Sequence, residues 1–129
     1  MSYDILIVDD SATTRAIIRR SIQMAGVPVG TIHEAENGVM ALDVVAASHV
    51  DVVLADLHMP QMDGVELTRR LMASPATRDI PVVIISAEPD QAKIDALKQQ
   101  GARGYLRKPF RPEGVRDVIN QVLGGIQHA

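Results

Sequence analysis

Polar side chains that can do chemistry stand at the ends of four apolar segments of the sequence. The segment "ILIV" runs straight into Asp9 and Asp10, and "DVVLA" runs into Asp56. "VVIIS" ends in Ser86, and "GYLR" is followed by Lys108. Adjacent carboxylates repel each other by about 4 kcal/mol at a separation of about 4 Å and an effective dielectric of about 20. A pair that ends a buried segment therefore needs either solvent or a positive partner.

The order of the elements predicts that these side chains meet. Dense aliphatic segments are typical of parallel strands buried on both faces, and the more polar "TIHEAE" at 31–36 is typical of an edge strand. Helix patterns occupy 12–25, 38–47, 64–73, 90–100 and 115–123. Strict alternation predicts an α/β fold with a parallel sheet covered by helices on both faces. The carboxyl ends of the strands then share one edge of the sheet.

The residues expected at this edge suit phosphate chemistry. Lys108 can neutralise one carboxylate, and a site with oxygen ligands alone suits Mg²⁺. Asp9 and Asp10 are the expected metal ligands, while Asp56, alone at the end of the central strand, is the expected nucleophile of aspartyl-phosphate chemistry. Ser86 can donate a hydrogen bond to the incoming phosphate oxygens, whose charge Lys108 offsets.

The motifs "IVDDS", "LADLHMPQMDG", "IISA" and "GYLRKPF" resemble, in order and spacing, the response-regulator receiver domains of two-component signalling. The resemblance implies a flavodoxin-like (βα)5 fold with a five-stranded parallel sheet in the order 2-1-3-4-5. It implies Asp56 as the phosphoacceptor. It also implies that Asp9, Asp10, Asp56 and the backbone carbonyl of His58 surround Mg²⁺.

The same resemblance implies how the phosphorylated state is recognised. Ser86 and Tyr105 are expected to form a switch pair, Lys108 to contact the phosphoryl group and a carboxylate, and the bond between Lys108 and Pro109 to be cis. Apart from the resemblance, the position of Glu88 two residues after Ser86 makes it a candidate for a side chain that overhangs the site and tunes the lifetime of the acyl phosphate.

A receiver domain is a phosphorylation-dependent binding module, not an enzyme with an external substrate. This one is expected to accept a phosphoryl group from a histidine kinase or phosphotransfer protein and to lose it to water. The face formed by residues 88–123 is the expected surface for a downstream protein, or for a phosphorylation-dependent dimer of an otherwise monomeric chain. A stand-alone chemotaxis-type regulator, a phosphorelay intermediate and an excised receiver of a longer regulator all fit this pattern.

Simpler interpretations exist for most of these residues. Asp9, Asp10 and Ser11 in isolation are typical of a helix N-cap, and Tyr105 is typical of a half-buried packing residue. The side chain of His58 is expected to point to solvent from a loop. His33, His49 and His128 show no ligand spacing and are expected at the surface.

Two alternative functions also use this type of sheet. An aspartate-nucleophile phosphatase of the haloacid-dehalogenase type typically carries a second aspartate two residues after the nucleophile, where this chain has His58. A flavin-binding protein must cradle phosphate in its first loop, which Asp9 and Asp10 would repel.

Composition sets the remaining expectations. A chain of 129 residues fits one domain, here a receiver at 1–125 with a short tail at 126–129, and 2% aromatic residues predict an aliphatic core. The absence of cysteine suits a cytoplasmic protein without disulfides. A net charge of −3 argues against direct nucleic-acid binding. No segment suggests a signal peptide or membrane insertion.

Overall fold

A computed structural model describes the backbone of residues 2–127 and the side chains of residues 2–124. Five strands alternate with five helices in this range. The strands are β1 (Tyr3–Val8), β2 (Val29–Ala35), β3 (Val52–Asp56), β4 (Val82–Ser86) and β5 (Gly104–Arg107). The helices are α1 (Ala12–Met24), α2 (Gly38–Ala47), α3 (Gly64–Ala73), α4 (Gln91–Gln99) and α5 (Pro112–Gln127). The predicted alternation of strands and helices is confirmed.

Polar side chains mark the start of four helices and explain where those helices begin. Ser11, Asn37, Asp63 and Asp90 each accept a hydrogen bond from a backbone N–H in the first turn of α1, α2, α3 and α4. Such caps satisfy N–H groups that have no partner inside the helix. Because Asp90 is the cap, α4 starts one residue after the predicted position. The cap predicted beside the acidic pair is also present, with Ser11 in that role.

The sheet is parallel and has the strand order β2-β1-β3-β4-β5, which confirms the predicted order 2-1-3-4-5. The polar strand β2 lies at one edge, as predicted, although it spans Val29–Ala35 and not 31–36. In register, Val8 is opposite Ala55, Asp56 is opposite Ile85, and Ser86 is opposite Arg107. The last residues of the strands therefore form one continuous edge.

Alternating strand side chains divide the core into two layers. Ile5 and Ile7 of β1 pack on one face of the sheet, against α1 and α5. Leu6 and Val8 pack on the opposite face, in the layer that contains buried residues of α2, α3 and α4. These four side chains are fully buried, and each such burial contributes roughly 1.5–3 kcal/mol. The aliphatic core predicted from the composition is confirmed.

Helix α5 continues to Gln127, past the predicted domain boundary at 125, while residues 128 and 129 of the expected tail lie outside the described residues. Between residues 2 and 127, no helix has both the length and the apolar composition needed to cross a membrane.

Candidate functional site

The carboxyl edge of the sheet brings the predicted acidic residues and lysine together. Carboxylate oxygens of Asp9, Asp10 and Asp56 all lie within 4.8 Å of one another. The Nζ of Lys108 is 3.7 Å from Oδ1 of Asp56 and 3.9 Å from Oδ2 of Asp9. Asp56, Ser86 and Lys108 line one open depression of about 360 Å³. Four connections that are distant in sequence thus converge on one place.

Asp9 is the buried member of the acidic cluster, with a side chain that is 2% exposed. Burial raises the pKa of its carboxyl group, and the charges of Asp56 and Asp10 add to the increase. A backbone N–H from Ser11 and the charge of Lys108 oppose it. Its Oδ1 accepts that N–H at 2.8 Å. Its Oδ2 has no hydrogen-bond partner among the described residues. A buried carboxylate oxygen without a donor is costly, so the group is suited to a cation.

These three carboxylates fit a small, hard divalent ion. The donor set is oxygen alone, and one donor is a buried oxygen without a partner. His58 lies two residues beyond Asp56 in the loop after β3, and its side chain is exposed, as predicted. The role of its backbone carbonyl stays a prediction.

Glycine at position 64 lets α3 approach the end of β3. Its N–H donates to the carbonyl of Leu57 at 2.9 Å. A Cβ at this position would lie 2.6 Å from the backbone carbonyl oxygen of Asp56. No other residue type fits without a shift of the backbone that carries Asp56. The sequence analysis predicts Gly64 only as the first residue of a helix and misses this role, because it depends on how closely α3 packs against β3.

Ser86 and Tyr105 are linked through the backbone after β4. Ser86 is 3% exposed, and its Oγ accepts the N–H of Glu88 at 3.1 Å. The hydroxyl of the half-buried Tyr105 donates to the carbonyl of Ser86 at 2.9 Å and to that of Glu88 at 3.3 Å. The two residues predicted as a switch pair therefore both form hydrogen bonds with the short loop after β4. Their joint movement stays a prediction.

Glu88 lies at the rim of the same depression. Its side chain is only 10% exposed, and Oε1 is 3.4 Å from Nζ of Lys93 on α4. Its Oε2 accepts the N–H of Asp90 at 3.2 Å. These contacts hold the loop between β4 and α4 beside the site. A role in the lifetime of an acyl phosphate stays a prediction.

The peptide bond between Lys108 and Pro109 is cis, as the resemblance implied. Lys108 follows β5 directly, and its N–H donates to the carbonyl of Ser86 at 2.9 Å. This hydrogen bond continues the pairing of β4 with β5 beyond the end of β5. It ties the backbone of the lysine to that of the serine on the neighbouring strand.

The histidines differ from expectation in one respect. His49 is exposed as predicted, but it does have acidic neighbours: Nε2 is 2.9 Å from Oδ1 of Asp51, and Asp4 is close to both. Both aspartate side chains already accept hydrogen bonds from the backbone: Asp51 accepts the N–H of Asp4, and Asp4 accepts the N–H of Thr31. This group lies at the amino edge of the sheet, away from the acidic cluster. His33 is half-buried on β2, and His128 lies outside the described residues.

Residues 5–120 match the family model described as "Response regulator receiver domain". The chain therefore belongs to the response regulator receiver domain family, a family of signalling domains. It is 33% identical to a chemotaxis protein CheY homolog from Campylobacter jejuni over 121 residues, which cover 93% of this chain and 92% of that protein. Membership of this family favours the receiver interpretation over the phosphatase and flavin-binding alternatives.

Solved structures show the same fold. Chemotaxis protein CheY4 of Vibrio cholerae superposes with a TM-score of 0.85 at 29% identity, covering 95% of this chain and 100% of that one. A putative response regulator from Chloroflexus aurantiacus gives a TM-score of 0.87 at 27% identity, covering 96% and 99%. The receiver domain of a sensor histidine kinase from Pseudomonas aeruginosa, at 23% identity and a TM-score of 0.83, covers 96% and 99%, and its structure has a magnesium ion coordinated in the active site cleft. The predicted flavodoxin-like receiver fold is confirmed.

Proposed function

We propose that this chain is a two-component switch that accepts a phosphoryl group on Asp56. The observation that carries the proposal is the placement of Asp56 at the end of the central strand, 3.7 Å from Lys108 and within 4.8 Å of two further carboxylates. Its carboxylate is 14% exposed, so a donor can reach it while most of the group is shielded from water. Membership of the receiver family supports the same assignment.

The phosphoryl transfer is a displacement at phosphorus. An Oδ of Asp56 attacks the phosphorus of a phosphohistidine, the P–N bond breaks, and its electron pair stays on the ring nitrogen. The product is a mixed anhydride of carboxylate and phosphate. Hydrolysis reverses the modification: a water oxygen attacks phosphorus, the bond to Asp56 breaks, and inorganic phosphate leaves while the carboxylate re-forms.

The remaining site residues offset the negative charge of the phosphoryl group. Asp9, Asp10, Asp56 and the backbone carbonyl of His58 would hold Mg²⁺, which when bound would supply positive charge to offset the phosphoryl oxygens. The ammonium of Lys108, which lies between two carboxylates, can pair with a phosphoryl oxygen after transfer. The neighbour from Pseudomonas aeruginosa, whose structure contains magnesium, supports the choice of metal.

The hydroxyl of Ser86 responds to phosphorylation of Asp56. Its oxygen accepts the N–H of Glu88, which leaves its own proton available for donation to a phosphoryl oxygen. Movement of Ser86 displaces the loop whose carbonyls hold Tyr105. The signal then reaches the face at 88–123, which carries six exposed basic side chains: Lys93, Lys98, Arg103, Arg107, Arg111 and Arg116.

This face is the proposed surface for a downstream protein or for a phosphorylation-dependent dimer. The phosphoryl donor is a histidine kinase or phosphotransfer protein, and the relatives named chemotaxis protein CheY homolog support a chemotaxis-type regulator. A phosphorelay intermediate is the second assignment within the same class. The receiver unit is residues 1–125, acting in the cytoplasm.

The test is phosphorylation by a small donor. Acetyl phosphate with Mg²⁺ should add one phosphoryl group, detected by intact mass, and Asp56→Asn should abolish the addition. Asp43→Asn is the matched control, because Asp43 is an exposed aspartate on α2 and its loss should leave the modification unchanged. Equal labelling of the Asp56→Asn variant would reject the assignment.

A further inference from the structure

Hydrogen bonds hold the backbone of Asp9 and one of its carboxylate oxygens. The other carboxylate oxygen is left available for a cation. Its N–H donates to the carbonyl of Ala35 on β2 at 3.1 Å. Its Oδ1 accepts the N–H of Ser11 at 2.8 Å. Its carbonyl oxygen accepts Nη1 of Arg15 at 2.6 Å. Only Oδ2, the buried oxygen without a partner among the described residues, remains.

Arg15 is itself fixed in place. Its side chain is 12% exposed, and its Nε donates to Oε1 of Glu34 on β2 at 2.9 Å. One guanidinium thus joins α1, β2 and the turn after β1. Hydrogen bonds from Arg19 and, more weakly, from Arg15 lower the pKa of Glu34 against the opposing effect of burial. Glu34 therefore stays ionised as the anchor of Arg15.

We propose that Arg15 is a positioning residue for the cation site and acts through the carbonyl of Asp9. The inference rests on the proposed Mg²⁺ site and deepens it. Asp9, Asp10 and Asp56 repel one another, so the turn that carries the first two tends to move away from the third. The bond from Arg15 opposes that movement and keeps Oδ2 of Asp9 aimed at the other carboxylates. A charge-assisted bond to a backbone carbonyl is strong enough for this role.

Arg19 supplies the matched control. It lies one turn further along α1, donates to the same Glu34 through Nε and Nη2, and also donates to a β2 carbonyl, that of Ile32, at 3.2 Å. Among the described residues, Arg19 bonds only to Glu34 and Ile32 through its side chain and not to Asp9. Loss of either arginine weakens the attachment of α1 to β2, whereas only loss of Arg15 frees the carbonyl of Asp9.

The experiment measures the Mg²⁺ dissociation constant of the full, unphosphorylated chain by titration calorimetry. Partners that orient metal ligands typically change affinity by about 10-fold to 100-fold. Arg15→Met should therefore weaken Mg²⁺ binding at least about tenfold, and Arg19→Met should leave it within about twofold of the parent. Thermal unfolding without Mg²⁺ should shift to a similar extent in both variants.

Each outcome decides a separate point. Equal loss of affinity in the two variants, or unchanged affinity in Arg15→Met, would overturn the positioning role. If the parent chain itself does not bind Mg²⁺, the proposed function fails, and this inference fails with it. Should Arg15→Met not fold, Arg15→Lys and Arg19→Lys replace the pair. A lysine at position 15 has a single ammonium, which pairs with the charged Glu34 in preference to the neutral carbonyl of Asp9. Only Arg15→Lys should therefore lose affinity.

Discussion

At the scale of the residue, Asp9 and Asp56 show how two carboxylates of one cluster acquire different tasks. Asp56 is 14% exposed and open to a donor, whereas Asp9 is almost fully buried and has one oxygen without a hydrogen bond among the described residues. A buried carboxylate whose nearest cation is the ammonium of Lys108, 3.9 Å from Oδ2, destabilises the fold until a closer cation arrives. Asp9 therefore couples the stability of the protein to the occupancy of the site.

Asp9→Asn should stabilise the metal-free protein at neutral pH. Burial raises the pKa of Asp9 above its unfolded value of 3.8, so the ionised form is less stable in the folded state. The penalty is absent below pH 3.8, develops as the pH rises through the unfolded and then the folded pKa, and is complete above both. We expect a gain of about 1–3 kcal/mol at pH 7 that disappears near pH 3, measured by urea unfolding without Mg²⁺.

The same variant should lose most of its response to Mg²⁺, because an amide oxygen carries no net charge. Asn still accepts the N–H of Ser11, so the turn itself is kept. A variant that is no more stable than the parent at pH 7 would show that Lys108 already compensates the buried charge.

At the scale of the element, α3 and the loop after β4 set the shape of the site. Helix α3 begins against the backbone of Asp56, because Gly64 has no Cβ to hold it away. The loop after β4 is joined by hydrogen bonds to Ser86 on one side and to Tyr105 on the other. The close approach at Gly64 leaves no space for a side chain, whereas movement of the loop after β4 stays a prediction.

Gly64→Ala should destabilise the protein by about 1–3 kcal/mol, the usual cost of overpacking. The added Cβ would lie 2.6 Å from a backbone oxygen, which cannot rotate away as a side chain can. Urea unfolding measures the change. Gly124→Ala in α5 is the control, because its Cβ would meet Asn120 at an ordinary 3.8 Å, and alanine should be neutral or stabilising there.

Ser86→Ala should separate phosphorylation from its consequence. Asp56 keeps its position and Lys108, so acetyl phosphate should still modify it. The loop loses both the acceptor for the Glu88 N–H and the donor to the phosphoryl group. Amide hydrogen exchange with and without beryllofluoride, a stable phosphoryl mimic, should show changes across 88–123 in the parent and little change there in the variant.

The proposed signalling route from Ser86 to residues 88–123 is wrong if the mimic changes amide hydrogen exchange in the parent only around Asp9, Asp10 and Asp56. Ser86→Thr is the matched control, since threonine keeps both the donor and the acceptor. It should respond to the mimic as the parent does.

At the scale of the whole molecule, the fold and the main site residues could be predicted because their signals are local. Strands β1, β3 and β4 are dense aliphatic segments, and a parallel sheet necessarily gathers the carboxyl ends. The sequence could not rank the carboxylates by burial, because that depends on packing between β1, β3 and the helices. Nor could it find Arg15, whose contact with Asp9 depends on the position of β2, or the approach of α3 that requires Gly64.

Mg²⁺ should raise the melting temperature of the whole domain. A ligand present at 100 times its dissociation constant adds about 2.7 kcal/mol when it binds only the folded state. The comparison is made at constant ionic strength with NaCl, since screening alone also reduces repulsion between carboxylates. Asp10→Ala should reduce the effect of Mg²⁺ while relieving repulsion in the metal-free form. A parent protein that melts at the same temperature with and without Mg²⁺ would contradict the site.

The positions of the two tyrosines give the molecule an optical reporter. The chain has no tryptophan, so its ultraviolet emission arises from Tyr3 and Tyr105. Tyr3 lies at the start of β1, at the opposite edge of the sheet from the acidic cluster, while the phenol of Tyr105 is bonded to the loop beside Ser86. Emission depends on the hydrogen bonding of the phenol, and Tyr3→Phe leaves Tyr105 as the sole emitter. If the proposed phosphorylation of Asp56 displaces the loop beside Ser86, the emission of Tyr105 should change, and the modification could be followed in real time without a label.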